Sequence, residues 1–310
     1  MSEIPLTAEL VTIRDWLRFS VSRFSEAKLA FGHGASSAQD EAAYLILHTL
    51  HLPIDQLEPW LDARLTKAER IQVAAIIEKR VVTRKPAAYL TNEAWIGPHA
   101  FYVDERVIVP RSYIGELIVR DAPALVLGAG PVRRVLDLCT GSGCLAILAA
   151  LTFEDATVDA ADISDDALAV ARQNIESYGL GGRVTALFSD VFADLGDRRY
   201  DLIIANPPYV TEAAVAAFPA EYKAEPVLAH VAGADGLSIT RRILADASKY
   251  LAPDGTLIVE IGHGRAAIDA EWPHLPFLWL DTEESSGEVF ALPASALGGV
   301  RAARARKAKR

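Results

Sequence analysis

The stretch Val135-Leu136-Asp137-Leu138-Cys139-Thr140-Gly141-Ser142-Gly143-Cys144 decides the fold of this chain. Its first four residues, apolar apart from Asp137, predict a buried strand, and the following residues predict a turn into a helix. Because Gly141 and Gly143 carry no side chain, the backbone of this turn can come close to a bound ligand. We therefore expect a strand, a ligand-binding turn and a helix in this order.

From Arg133 onward the sequence alternates between strand and helix patterns. Because Ser164 and Gly179 are typical helix boundaries, they bound one of the intervening helices. The seven predicted strands are Val135–Leu138, 157–162, 184–188, 200–205, 255–261, 277–281 and 288–292. The last two are joined by a short Glu-Ser-Ser-Gly segment and should pair antiparallel. The pattern predicts an α/β fold, with a mostly parallel seven-stranded sheet between helices and ligands at its carboxyl edge, where strand order reverses.

The remainder of the chain divides into further segments. Residues 1–90 have the apolar spacing of helices and should form a helical domain that docks the substrate or a partner. Thr66 and Glu69 form a capping-box pattern at the start of one of these helices. Turn signals in residues 91–112 predict a linking β-hairpin. The α/β domain should occupy residues 113–296, and residues 297–310 form a basic tail that we expect to be disordered.

Composition indicates an ordinary soluble protein, with 310 residues of which 51% are hydrophobic and 23% charged. No apolar run approaches the roughly 20 residues that a membrane span needs. The first residues lack a signal-peptide pattern, so we expect a cytoplasmic protein without membrane partners. Cys139 and Cys144 have neither zinc-site nor disulfide-framework spacing, and no metal site is predicted.

Charge is unevenly distributed along the chain. The net charge is −10, but the last ten residues carry six basic residues and no acidic ones. Without those six, 25 basic residues stand against 41 acidic ones, so the body carries about −16. Such a body should repel nucleic acid and attract basic partners. Two interpretations of the tail stay open: a solvated end, or an arm that contacts RNA or acidic surfaces such as ribosome assembly intermediates.

The run Asn206-Pro207-Pro208-Tyr209 directly follows the apolar strand that ends at Ala205. Consecutive prolines fix φ and lack N–H groups, so the turn is stiff and offers carbonyl acceptors. The Asn206 side chain adds another acceptor. Rigid acceptors beside an aromatic ring suit a planar NH₂ group, because they can bind both its protons and hold its nitrogen toward an electrophile. The alternative to a binding site is a tight turn that ends the strand and contacts no ligand.

The residues around the glycine turn allow two cofactor classes. Asp162 ends the next predicted strand, where an acid can accept hydrogen bonds from both hydroxyls of a ribose. The run Gly141–Ala146 also fits a dinucleotide fingerprint, which keeps hydride transfer open. Asp137 weighs against that interpretation, because its charge would repel a pyrophosphate and suits the ammonium group of S-adenosylmethionine. The acceptor turn at Asn206 also has no evident role in hydride transfer.

A weaker signal follows the third predicted strand at Ser189-Asp190-Val191-Phe192. A polar residue at this position can reach the amino group of an adenine while an apolar neighbour packs on the ring. The alternative is a plain loop with Phe192 in the core.

Together these motifs resemble the class I methyltransferases that act on exocyclic amino or amide nitrogens, and more narrowly the protein-glutamine amide methyltransferases. One branch of that family methylates a glutamine of peptide release factors, and another a glutamine of the large-subunit ribosomal protein L-three. Val109-Pro110-Arg111-Ser112 departs from the Pro-Arg-Pro-Asp/Glu run of the release-factor branch. The two cysteines of the glycine turn and the run Glu221–Pro226 are similar to the ribosomal-protein branch.

The resemblance implies a Rossmann-like methyltransferase fold, S-adenosylmethionine as cofactor and a basic ribosomal protein as substrate. It implies that the cofactor is bound by Asp137, Cys139, Thr140, Gly141, Ser142, Gly143, Asp162, Asp190, Val191 and Asn206. It implies that the glutamine amide is held by Asn206, Pro207, Pro208 and Tyr209, with Arg111 ordering the substrate side.

Three alternatives stay open beside this interpretation. Release factors are the nearest alternative substrate. An adenine amino methyltransferase shares the acceptor turn but normally needs a basic groove, and the acidic body argues against sequence-specific DNA binding. A binding module without activity would transfer no methyl group.

Overall fold

The computed structural model describes residues 6–128, 130–282 and 285–298, which form two compact units. One unit contains the described residues through Ala94 together with Phe218–Glu225. The other contains Trp95–Ala217 and the described residues from Pro226 onward. Most of the predicted basic tail lies outside the described residues. Its first residue, Leu297, is fully buried in an apolar cluster, so the predicted tail cannot begin there.

The first unit is helical, as the apolar spacing predicts. Its helices are α1 Leu6–Glu9, α2 Ile13–Glu26, α3 Ala38–Thr49, α4 Lys67–Thr83 and α5 Ala87–Thr91. The predicted capping box is confirmed, since the Thr66 hydroxyl accepts from the Glu69 backbone and the Glu69 carboxylate accepts from the Thr66 backbone. Thr12 and Asp15 form a second capping box, which starts α2 anew after α1.

A buried ionic cluster explains why Phe218–Glu225 groups with the helices. The sequence prediction kept this segment within the α/β domain. Arg80 is fully buried and binds Glu41 at 2.7 Å, and the Glu221 carboxylate lies 3.7 Å from Arg80 and 2.7 Å from Arg84. Burial raises the pKa of Glu41 against the opposing attraction of Arg80. Glu221 therefore supplies a charge partner that the helices lack without this segment.

The described residues contain a two-stranded sheet, which begins at Glu93, and a seven-stranded sheet that belongs to the second unit. The small sheet pairs β1 Glu93–Ile96 with β2 His99–Tyr102, within the predicted hairpin segment. The strands of the large sheet are β3 Arg134–Leu138, β4 Thr157–Asp162, β5 Val184–Phe188, β6 Tyr200–Ala205, β7 Leu251–Glu260, β8 Leu278–Leu280 and β9 Val289–Pro293. Their order is β5-β4-β3-β6-β7-β9-β8.

The pairing confirms the predicted fold class. Strands β3 to β7 run parallel, β9 pairs antiparallel with both β7 and β8, and the predicted antiparallel pair is therefore confirmed. The intervening helices are α6 Tyr113–Asp121, α7 Cys144–Thr152, α8 Asp165–Ser177, α9 Glu212–Ala216, α10 Ser238–Asp246 and α11 Arg265–Glu271. Strand β7 begins four residues earlier than predicted, because Leu251 already pairs with Tyr200 ahead of a register shift.

Side chains of the central strands alternate between two apolar clusters. Val135 and Ile204 lie in one cluster, while Leu136 and Ile203 lie in the other. Burial on both faces explains why the middle of these strands is mostly apolar rather than alternating between apolar and polar residues. None of the helices in the described ranges is long and apolar enough to cross a bilayer.

Candidate active site

The strand order reverses between β3 and β6, which are neighbours in the sheet. Leu138 and Ala205 are register partners at the carboxyl ends of these strands. Cys139 and Asn206 therefore leave the sheet side by side, at the strand spacing of about 4.8 Å. Ligands bind at such reversal points because the two following loops diverge and leave a crevice. The predicted cofactor turn and the predicted acceptor turn thus open onto one edge.

Backbone geometry at the glycine turn requires its glycines. Gly141 has φ +56° and Gly143 has φ +81°, a region that L side chains rarely adopt. A Cβ on Gly143 would lie 3.1 Å from the Ala171 Cβ, so this glycine also lets α8 pack against the turn. A Cβ on Gly141 would meet no atom within 4 Å, which leaves open space in front of that residue. Gly141 therefore borders space that a ligand can occupy.

Asp137 is fully buried under this turn. Its Oδ2 accepts hydrogen bonds from the Thr140 hydroxyl at 2.5 Å and the Ala146 N–H at 3.1 Å. Its Oδ1 is buried and has no hydrogen-bond partner in the described part of the chain. Burial raises the pKa of this carboxyl to about 7, because an ionised group there loses its hydration. Oδ1 is an acceptor that a cationic donor would satisfy.

Both cysteines near the turn are free thiols. Burial, with Asp137 next in effect, raises the pKa of Cys144 to about 12. Burial and the charges of Asp162 and Asp137 also raise the pKa of Cys139. Since a thiolate is the reactive form, these cysteines are unreactive at neutral pH.

Asp162 lies at the carboxyl edge of the sheet and also holds the glycine turn through hydrogen bonds. Its Oδ2 accepts the Gly141 N–H and its Oδ1 accepts the Ser164 N–H, both at 2.9 Å. Burial raises the pKa of Asp162, opposed by these backbone bonds. Two exposed apolar side chains accompany it: Ile163 is 44% exposed and Phe188, the register partner of Asp162, is 50% exposed. Sequence reasoning missed both, although their places beside the predicted ribose-binding acid were a signal.

Asp190 and Val191 lie after β5, with a different arrangement from the one predicted. The Asp190 carboxylate binds the Arg242 guanidinium at 2.8 Å. Val191 is buried with φ +57°, and Phe192 is buried against Tyr250, with ring centroids 4.6 Å apart. The loop thus supplies core packing through Phe192, while the predicted contact of Asp190 with an adenine would have to share the carboxylate with Arg242.

Asn206 is held by the backbone of the segment that precedes α6. Its Nδ2 donates a hydrogen bond to the Arg111 carbonyl at 3.2 Å. This bond fixes the plane of the amide and directs the opposite atom, the acceptor Oδ1, away from Arg111. Arg111 therefore contacts Asn206 through its carbonyl, and its guanidinium donates to the Val109 carbonyl at 3.3 Å. The sequence resemblance indicated the residue but not the atom.

Two glycines and a backbone pairing hold Tyr209. A Cβ on Gly262 would lie 2.8 Å from the ring, and a Cβ on Gly236 would lie 2.3 Å from the Tyr209 carbonyl oxygen. Val210 exchanges backbone hydrogen bonds of 2.9 Å with His230 and Ala232. Burial, with Glu260 next in effect, raises the pKa of Tyr209, so the phenol stays neutral. The ring is thus fixed as a neutral apolar surface.

Glu260 is a buried acid at the end of β7 that sequence reasoning missed. Its Oε2 accepts the Ser112 hydroxyl at 2.6 Å and the Ile114 N–H at 3.4 Å. Burial raises its pKa to about 7. An acid at the end of an apolar strand was the sequence signal that could have identified Glu260 as a site residue. Across the described ranges, no three His, Cys, Asp or Glu side chains are grouped to hold a metal ion.

Comparisons with known proteins identify relatives of this chain. A protein-family model described as "Methyltransferase small domain" matches residues 123–221. The ribosomal protein uL3 glutamine methyltransferase of Burkholderia pseudomallei is 54% identical, covering 93% of this chain and 96% of the relative. The protein of the same name from Bradyrhizobium diazoefficiens is 56% identical, covering 93% and 92%. A solved methyltransferase structure from Pyrococcus furiosus is 15% identical, with a TM-score of 0.46, covering 71% of this chain and 96% of that one.

The mostly parallel seven-stranded sheet, the glycine turn and the family match define an α/β class I methyltransferase. Similarity extends over nearly the whole length of both chains, the helical unit included. The chain belongs to the family of the ribosomal protein uL3 glutamine methyltransferases.

Proposed function

We propose that this protein transfers a methyl group from S-adenosylmethionine to the side-chain amide nitrogen of a glutamine in ribosomal protein uL3. The observation that carries the proposal is the hydrogen bond from Asn206 Nδ2 to the Arg111 carbonyl. It presents an oriented amide oxygen directly beside the glycine turn, where a methyl donor and an amide NH₂ can meet.

The residues around the glycine turn fit S-adenosylmethionine. Asp137 Oδ1 is a buried acceptor without a partner in the described residues, and the ammonium of the methionine moiety is a matching donor. Open space in front of Gly141 admits the ligand to the backbone. The backbone hydrogen bonds use one lone pair on each Asp162 oxygen, and the remaining lone pairs can accept from ribose hydroxyls. The exposed side chains of Ile163 and Phe188 can pack against the face of an adenine. Asp190 and Val191 stay predicted adenine neighbours.

When bound, the cofactor supplies an electrophilic methyl group on a positively charged sulfur. The chain's own residues have to activate the nitrogen, because the lone pair of an amide is delocalised into its carbonyl. Asn206 Oδ1 and the Pro207 carbonyl would each accept one N–H of the glutamine and hold its lone pair toward the methyl group. These acceptors would also stabilise the positive charge that develops on nitrogen as it takes up the methyl group, and the proton that the nitrogen then sheds would pass to solvent.

The remaining residues of the acceptor turn act by alignment. Pro208 stiffens the turn, and Tyr209 offers its neutral ring as a surface for the amide plane. Positioning of this kind in a site that excludes water lowers a barrier by several kcal/mol, roughly 7 to 11 in favourable intramolecular cases. The reaction is a direct in-line displacement and requires no metal.

Ribosomal protein uL3 is favoured as substrate by the names of the relatives and by charge. Two relatives above 50% identity carry that substrate in their names. The acidic body of this chain would attract a basic protein at long range. A docking role for the helical unit, contact of the basic tail with ribosome assembly intermediates and a cytoplasmic location stay predictions.

The test is a methyl-transfer assay with labelled S-adenosylmethionine, offering unmodified uL3 and unmodified release factors in parallel. We expect label on a uL3 glutamine and none on the release factors. Label on the release factors alone would keep the chemistry and refute the substrate. Label on neither protein, while S-adenosylmethionine binds, would refute the proposed function.

A further inference from the structure

Asn206 and Glu260 occupy equivalent places on neighbouring strands. Ala205 and Val259 are register partners in β6 and β7, and each is followed by one of these two polar residues. The proposed function uses Asn206 and leaves Glu260 without a task. Glu260 is 2% exposed, and an acid buried to this extent normally has a specific partner.

The partners of Glu260 lie in the segment that carries Arg111. Ser112 is the N-cap residue of α6, but its own side chain makes no capping hydrogen bond. Glu260 takes over that task from 148 residues away, since its Oε2 accepts both the Ser112 hydroxyl at 2.6 Å and the Ile114 N–H at 3.4 Å. A local cap would hold only the helix, whereas this cap ties the start of α6 to the end of β7.

Arg111 immediately precedes the capped residue, and its carbonyl is the acceptor for Asn206 Nδ2. The position of that carbonyl therefore depends on where Ser112 is held. Glu260 is thus connected to Asn206 in three steps: a hydrogen bond to Ser112, the peptide bond between Ser112 and Arg111, and the hydrogen bond between the Arg111 carbonyl and Asn206. If Glu260 releases Ser112, the carbonyl can move, and the Asn206 amide can rotate away from the orientation that its function needs.

We propose that Glu260 is a positioning residue, which fixes the Asn206 amide through Ser112 and the Arg111 carbonyl. Two donors of the Ser112–Ile114 segment engage its Oε2, and through this oxygen Glu260 orders the segment that holds Asn206. The consequence for catalysis rests on the proposed function, but the orientation of Asn206 can be measured without methyl transfer.

The composition of this chain makes that measurement direct. It contains three asparagines, at positions 92, 174 and 206. Selective ¹⁵N-asparagine labelling therefore gives three side-chain NH₂ pairs in an NMR spectrum, and Asn206→Ala assigns one of them by its loss. Asn174 is an internal reference, because its buried Nδ2 donates to the Tyr102 and Ser142 carbonyls and not to the segment that Glu260 holds.

The variants are Glu260→Ala, Glu260→Gln and the milder Ser112→Ala, which removes the same contact from the other side. The matched control is Ser37→Ala, which removes a helix-capping hydroxyl in the helical unit. We expect the Asn206 NH₂ protons to exchange with solvent at least about tenfold faster in Glu260→Ala and Ser112→Ala, with Asn174 unchanged. Glu260→Gln keeps an acceptor oxygen and should recover part of the protection.

In the methyl-transfer assay, we expect Glu260→Ala to lower kcat by about 10- to 100-fold while the Kd for S-adenosylmethionine stays within about threefold. In an Asn206→Ala background the same change should add little, because the residue that it positions is gone. Ser37→Ala should leave kcat unchanged.

Unchanged Asn206 exchange in both Glu260→Ala and Ser112→Ala would overturn the inference, whether or not the protein methylates uL3. Equal losses of kcat from Glu260→Ala with and without Asn206 would also overturn it, since a general loss of stability acts independently of Asn206. Faster Asn206 exchange in a protein that methylates neither substrate would support the positioning role and refute the proposed function separately.

Discussion

Replacing Asp137 with asparagine should separate cofactor binding from stability. The folded protein holds the proton of Asp137 more tightly than the unfolded chain, because burial raises the pKa from its ordinary value of 3.8 to about 7. The stability that this group contributes is therefore fully present below pH 4 and is lost as the pH rises toward 7. From the two pKa values, the loss reaches about 2 kcal/mol near pH 5.5 and about 4 kcal/mol near pH 8.

The asparagine in Asp137→Asn cannot ionise, so the variant does not lose this stability as the pH rises. Its oxygen can still accept from Thr140 and Ala146, while its NH₂ takes the place of the partnerless Oδ1. An unsatisfied NH₂ there costs about 1 to 3 kcal/mol at every pH. The free energy of unfolding of the variant, relative to wild type, should therefore rise by about 2 kcal/mol between pH 5.5 and pH 8.

The same substitution should weaken cofactor binding. The NH₂ would point its protons at the ammonium group of S-adenosylmethionine, where wild type offers a carboxylate. Calorimetry should show wild-type affinity falling as the pH drops below about 7, up to about tenfold per pH unit, and a lower affinity with a weaker pH dependence in the variant.

Urea unfolding of both ligand-free proteins at the two pH values measures the stability part. Other titrating groups, including Glu260 and Asp162, are common to both proteins and largely cancel in the comparison. A wild-type-to-variant difference that is the same at both pH values would refute the reasoning, because it would mean that burial does not raise the pKa of Asp137.

Three further substitutions test other parts of the molecule. Asn206→Ala should lower turnover by about 100-fold or more in the methyl-transfer assay while calorimetry shows cofactor binding retained, and near-normal turnover would refute the role of the acceptor turn. Gly262→Ala should lower turnover by about tenfold, because its Cβ would lie 2.8 Å from the Tyr209 ring at φ +51°; unchanged turnover would show that the ring need not stay in place. Arg80→Met leaves Glu41 buried without its 2.7 Å partner and should destabilise the helical unit by about 3 to 5 kcal/mol in urea unfolding. A loss below 1 kcal/mol would show that the cluster is hydrated.

Much of the α/β unit was predictable from local sequence. Largely apolar runs around Asp137, up to Asp162 and before Asn206 predicted three neighbouring strands, because a strand buried on both faces needs mostly apolar residues. The glycine turn and the Asn-Pro-Pro-Tyr turn were recognisable for a similar reason, since their backbone conformations restrict the residue types within a few positions. Strand boundaries were less certain at β7, where the additional pairing of Leu251 with Tyr200 has no local signal.

The sequence by itself determined which chemical groups the edge of the sheet carries: acids after two strands, an asparagine after a third and glycines between. Only the tertiary structure decided how these groups are oriented. Asn206 meets Arg111 across 95 residues and Glu260 meets Ser112 across 148, and Glu221 enters the helical unit from a distant segment. Local periodicity encodes backbone conformation within a few residues, whereas a hydrogen bond between distant residues depends on the packing of the whole sheet. For this reason the acceptor turn was visible in the sequence, and the contacts that hold it were not.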